Sequence, residues 1–134
     1  MKAPEIKGVL FDIGGVLVEL DGGPSLAAML GVAPDHESLH GLWIASPSVA
    51  AHETGRIAED EFAAGLVAEL GLPISAEAFL QEFCDWPKGL LPGALELLEE
   101  MPAGCRVAAL RCRALASHPA DGPCRAIPAN LPVA

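Results

Sequence analysis

Apolar positions fall in two patterns, short unbroken runs and longer stretches in which they recur every three or four residues. "IKGVLF", residues 6 to 11, is a short run rich in Val, Ile, Leu and Phe, too short for a stable helix, and it predicts a buried strand. Gly14-Gly15 ends that run. From Pro24 to about His52 the pattern is helical in pieces: "SLAAML" closes at Gly31, and "HESLHGLWIA" stops before Pro47. "AEDEFAAGLVAELG", residues 58 to 71, predicts the clearest helix, with three acids in its first turn and an apolar stripe of Phe62, Leu66, Val67 and Leu70. "SAEAFLQEFCDW", residues 75 to 86, predicts a helix that Ser75 caps and Pro87 stops, with Phe79, Phe83 and Trp86 on one face as core packing.

"PGALELLEEM", residues 92 to 101, is a further amphipathic helix, and "CRVAAL", residues 105 to 110, a second short strand. Strand, helical insertion, helix, strand is the order of an α/β unit. After Leu110 the texture changes. "RCRALASHPADGPCRAIPANLPVA" holds four prolines and six alanines in 24 residues and keeps neither periodicity, so it is read as irregular or disordered. Seventeen of the eighteen acids precede it, whereas it carries three Arg against one Asp.

The composition sets outer bounds. An apolar fraction of 51% over 134 residues is that of one modest globular domain. A formal charge of −10 disfavours nucleic acid and anionic membrane as partners. No apolar stretch approaches the ~20 residues of a membrane span, and "MKAPEIK" lacks the features of a secretory signal, so the cytoplasm is the expected location. Cys84, Cys105, Cys112 and Cys124 form no C-x-x-C pair and are expected to be reduced.

The residue that carries chemistry is Asp12. A carboxylate inside a strand about to be buried is costly unless it reaches the strand's open end or holds a counter-ion. The bland alternative is a turn-initiating acid that bonds the amides of Gly14 and Gly15. "VLFDIGGVLVEL" resembles the first signature of the haloacid dehalogenase superfamily, in which a strand delivers a nucleophilic Asp into a Gly-containing turn. "HETGRIAEDEFAAGLVAELGLPISAEAFLQEF" looks like the helical cap of its sugar-phosphatase and epoxide-hydrolase N-terminal-like branch, and "KGLLPGALELLEEMPAGCRVAAL" like the segment leading to the second signature.

The resemblance covers about residues 6 to 110. It implies an incomplete Rossmann-like core with an inserted helical cap: residues 1–17 as first core segment, 18–88 as cap, 89–110 as return helix and second core strand, and 111–134 as a tail unlike the family. It further implies a magnesium-dependent phosphatase acting on a small phosphorylated metabolite through an aspartyl-phosphate, with Asp12 as nucleophile and metal ligand and Gly14 offering its backbone carbonyl to the metal. A dehalogenase, in which the same carboxylate displaces halide without metal, and an inactive fragment that acts only by binding are the alternatives.

Departures from the family pattern weaken the implied activity. Gly14 stands where many members carry a second Asp, and Arg111 where a Ser or Thr would hold the phosphoryl oxygens. No Lys follows Leu110, and Asp121 is the sole later acid. Little or no activity is therefore expected of a truncated member, because such donors and cations supply much of the rate enhancement. The tail reads as an out-of-frame translation of a GC-rich gene, which retranslation of the nucleotide sequence would check. Two strands leave a core uncovered, so weak stability and self-association through exposed core surface are expected.

Other polar residues take plainer readings. His36 and His40 are i, i+4 neighbours on a solvated helix face, and with His52 they show no third ligand. Trp43 and Arg56 could face a substrate from the cap, but packing and surface charge explain them. Glu59, Asp60 and Glu61 are a helix N-terminal acid cluster.

Overall fold

The computed structural model describes residues 5–110; the readings made for the tail, Arg111, Asp121, Cys112 and Cys124 lie outside them. The described chain is a mixed α/β structure of six helices and two small sheets. Strand β1, Gly8–Asp12, pairs in parallel with β4, Arg106–Leu110, from Gly8↔Arg106 to Asp12↔Leu110. Both expected strands are therefore present, and β1 runs one residue further than its apolar stretch, to include Asp12.

Two strands that the pattern did not announce form a separate antiparallel ribbon. β2, Val18–Leu20, pairs with β3, Pro87–Leu90, with a register shift between Glu19 and Leu20. Asp21 N donates to Trp86 O at 2.9 Å beyond one end, and Leu91 N donates to Leu17 O at 2.8 Å beyond the other. The ribbon stands where the cap was expected to begin and end. Pro87 and Gly89 are poor strand formers, and edge pairing of so short a ribbon accommodates them.

Between its strands lie five helices: α1, Gly22–Leu30; α2, His36–Ala45; α3, Pro47–Glu53; α4, Glu59–Leu70; and α5, Ala76–Cys84. Their ends follow local chemistry. Gly31 and Gly71 close α1 and α4 in the left-handed conformation that costs glycine least. The side chains of Asp35, Ser46 and Ser75 cap α2, α3 and α5. Leu26, Leu39, Val49, Phe62, Leu66, Phe79, Phe83 and Trp86 build the core of this bundle. Val67 and Leu70 of the expected stripe are only partly buried, and Ala63 takes an interior place instead.

His52 is a core residue at 3% exposure, stacked on Phe62 at 4.3 Å between ring centroids, whereas His36 and His40 are exposed as expected. Trp43 is half-buried against Phe62, Phe83 and Trp86, which gives it a packing role. Cys105 is a free thiol, whereas Cys84 is disulfide-bonded, which departs from the expected reduced state.

Helix α6, Ala94–Glu99, covers one face of the β1/β4 sheet. Ala94 and Leu98 pack with Leu17, Phe11, Leu90 and Val107, while Ile13 and Val18 pack with Leu90 and Ala109. Side chains alternate across a strand, so the other face carries Leu10 and Leu110. These are 61% and 58% exposed, with Ile6 alongside in sequence at 74%. Among the described residues no helix is long and apolar enough to cross a membrane.

Candidate functional site

Asp12 is the last residue of β1, and its parallel partner at the same level is Leu110, the last residue of β4. The carboxyl ends of parallel strands are where open α/β sheets present ligands. Asp12 is exposed there, so its charge escapes the desolvation that a mid-strand position would impose. Its Oδ1 accepts from the amide of Ile13 at 2.8 Å, which fixes one carboxylate oxygen in a local turn. The turn-initiating alternative named Gly14 and Gly15 as donors; the amide recorded is that of Ile13.

The backbone after Asp12 folds tightly. The carbonyl of Ile13 accepts from the amides of Val16, Leu17 and Val18 at 3.2, 2.9 and 2.9 Å, and Gly15 N donates to Val18 O at 2.8 Å. Gly15 has a φ of 74°, a conformation for which glycine is suited. Buried Ile13 and Leu17 anchor the loop from beneath, one in each of the two small cores. The turn is thus held by the buried side chains of Ile13, Leu17 and Val18 and by four amides, and at Val18 it becomes the ribbon.

Val18 N and Gly15 N bracket Gly14 without using its peptide oxygen, and among the described residues no loop amide bonds that oxygen. Asp12 and the Gly14 carbonyl are both hard oxygen donors and fit magnesium in kind. In number they are a partial set, because no group of three Asp, Glu, His or Cys side chains able to hold a metal occurs among the described residues. Further ligands would have to come from water and substrate oxygens.

Two of the described cations lie away from this tip. Arg106 begins β4 opposite Gly8, and Lys7 precedes β1, so both sit at the amino end of the sheet. Four residue steps along a strand separate the two ends by ~13 Å. Lys88 instead approaches Asp21 at 3.9 Å across the ribbon, an exposed pair worth at most ~1 kcal/mol. The acid cluster Glu59, Asp60 and Glu61 occupies the first turn of α4 as its sequence position requires. Arg56 is exposed, with its Nε donating to Thr54 Oγ1 at 3.0 Å.

The ribbon was the feature that apolar periodicity missed near the site. The strand-forming valines of "GVLVEL" favour an extended chain there, but Pro87 and Gly89 in the partner strand oppose one. Comparison with known proteins adds nothing to this geometry: no family model, curated protein or solved structure matches the chain.

Proposed function

We propose that the chain is a hydrolase of the haloacid dehalogenase type, with Asp12 as nucleophile toward a small phosphate monoester, and that β1 and β4 are two strands of a Rossmann-like core bearing α1–α5 as a cap. The observation that carries this reading is the placement of Asp12: an exposed carboxylate at the carboxyl tip of a parallel strand, with one oxygen pinned by the Ile13 amide. A fixed carboxylate is a nucleophile whose second oxygen can approach phosphorus with little reorientation.

In this reading Asp12 forms a bond to phosphorus as the ester P–O bond breaks, and the electron pair leaves with the alkoxide. Water supplies the proton to that alkoxide, because Gly14 has no side chain to do so. A second water then attacks phosphorus, breaking the acyl-phosphate bond, restoring the Asp12 carboxylate and releasing inorganic phosphate. Magnesium, when bound by Asp12 and the Gly14 carbonyl, would offset the repulsion between carboxylate and phosphate.

Turnover is expected to be slow. Each missing donor to a developing charge typically costs ~10²–10³ in rate, and Lys7 and Arg106 lie at the other end of the sheet. The test is release of 4-nitrophenol from 4-nitrophenyl phosphate with and without magnesium. Magnesium-dependent release that vanishes in Asp12→Asn supports the reading; release untouched by that substitution rejects it. Metal-independent halide release from 2-chloropropionate would instead indicate the dehalogenase chemistry of the same carboxylate, and neither release would leave a chain that acts only by binding.

A further inference from the structure

Among the described residues, His36 and His40 stand at ligating spacing on helix α2. They occupy the outer positions of "HESLH", an H-E-x-x-H sequence that places two imidazoles one turn apart on one face. Both side chains are exposed, and their rings lie nearly parallel, 10° between planes and 5.9 Å between centroids. We propose that His36 and His40 form a two-imidazole surface site for a borderline divalent transition metal, of the kind represented by nickel, copper and zinc.

The helix supplies the preorganisation. Asp35 caps α2, its Oδ2 accepting from Ser38 N at 3.0 Å, so the turn that spaces the two histidines is secured at its start. Leu39 is buried in the bundle core and orients the helix so that its neighbour His40 projects to solvent. Bridging one ion requires nitrogen–metal bonds of ~2.0–2.1 Å, hence two nitrogens ~3 Å apart. Exposed rings reach that separation by side-chain rotation alone, without displacing packed atoms.

Electrostatics contains one opposing effect. A cation near a helix N-terminus is disfavoured by the helix dipole. Asp35 and Glu37 flank His36 with carboxylates, and the chain's formal charge is −10, so the local potential is restored toward cations. Imidazole favours nickel, copper and zinc over magnesium or calcium, and copper should bind tightest of the three. Peptidase chemistry is not implied, since no third ligand side chain joins the pair among the described residues.

The experiment is calorimetric titration of the full chain with nickel chloride, with circular dichroism to verify that variants keep their helices. One saturable ion per chain is expected. Loss of an outer-sphere partner already costs about 10–100-fold in many metal sites, so His36→Gln and His40→Gln should each weaken binding by about tenfold or more, and equally. Two outcomes overturn the proposal: no saturable binding to the wild-type chain, or binding that survives in the doubly substituted chain, which would place the ion elsewhere. Magnesium chloride titrated in parallel should give no comparable isotherm, and an equal one would likewise reject an imidazole site.

Discussion

Gly22, the first residue of α1, lies against the indole of Trp86, so closely that a β-carbon there would sit 2.7 Å from Cε3 and 2.9 Å from Cζ3 of the ring. The contact joins the start of the helical bundle to the residue before its exit strand, next to the Asp21 N to Trp86 O bond. Trp86 is buried among Phe79, Phe83 and Trp43, so its ring has little room to retreat. Gly22→Ala is therefore expected to destabilise by ~1–3 kcal/mol, as overpacking does in well-filled cores. Chemical denaturation with tryptophan fluorescence would measure it, and an unchanged midpoint would show that the ring yields freely.

A second glycine sets the spacing of α3 and α4. A β-carbon at Gly65 would clash with Ser48 Oγ and fall 3.1 Å from Ser48 Cβ. Ser48 Oγ donates to Glu69 Oε1, as does Ser48 N, and Ser46 Oγ donates to Glu69 Oε2. Alanine is the better helix former by about 1 kcal/mol, yet Gly65→Ala must either displace the helices or break the Ser48 bond. A net loss of ~1 kcal/mol or more is expected. Adding Ser48→Gly should recover much of it in a double-mutant cycle; additive losses would deny the coupling.

Glu69 also gives the bundle a pH dependence. Desolvation pushes its carboxyl up, but the hydroxyls of Ser46 and Ser48 and the Ser48 amide outweigh that and hold it below its ordinary value of 4.5. A group whose folded value is depressed contributes stability that is present above the unfolded value and lost as pH falls through the folded one. Stability should thus decline below about pH 4.5, and Glu69→Gln should flatten that decline. Equal acid slopes for the two proteins, by denaturation at several pH values, would assign the loss to other carboxylates.

The bare face of the β1/β4 sheet bears on association. Leu10 and Leu110 are largely exposed, and burying one such side chain is worth ~1.5–3 kcal/mol. Net charge of −10 opposes close approach of two copies, and salt screens it. Light scattering is expected to show mass rising with concentration and salt, and Leu10→Lys should reduce it. A monodisperse monomer at high salt would mean that this face stays solvated.

Much of this architecture was legible in local pattern. The strand runs, the Ser75 cap, the Gly31 and Gly71 stops and the acid-led α4 depend on neighbours in sequence, and they appear where periodicity places them. The ribbon was not legible, because Pro87 and Gly89 oppose strand formation and only pairing with Val18–Leu20 makes them one. The burial of His52 was not legible for a similar reason: it comes from Phe62 on a different helix. At the site, the position of Asp12 at a strand end followed from the cost of burying a charge, whereas the Ile13 amide as its partner depends on a turn that sequence does not specify.

The claim on which the functional account rests is that Asp12 takes up a phosphoryl group. Intact-mass spectrometry after incubation with acetyl phosphate and magnesium tests it most directly, since slow hydrolysis should allow the acyl-phosphate to accumulate. The expected result is one added phosphoryl group per chain, labile to hydroxylamine and absent from Asp12→Asn. An adduct of the same mass on Asp12→Asn, or none on the wild-type chain, would contradict the account.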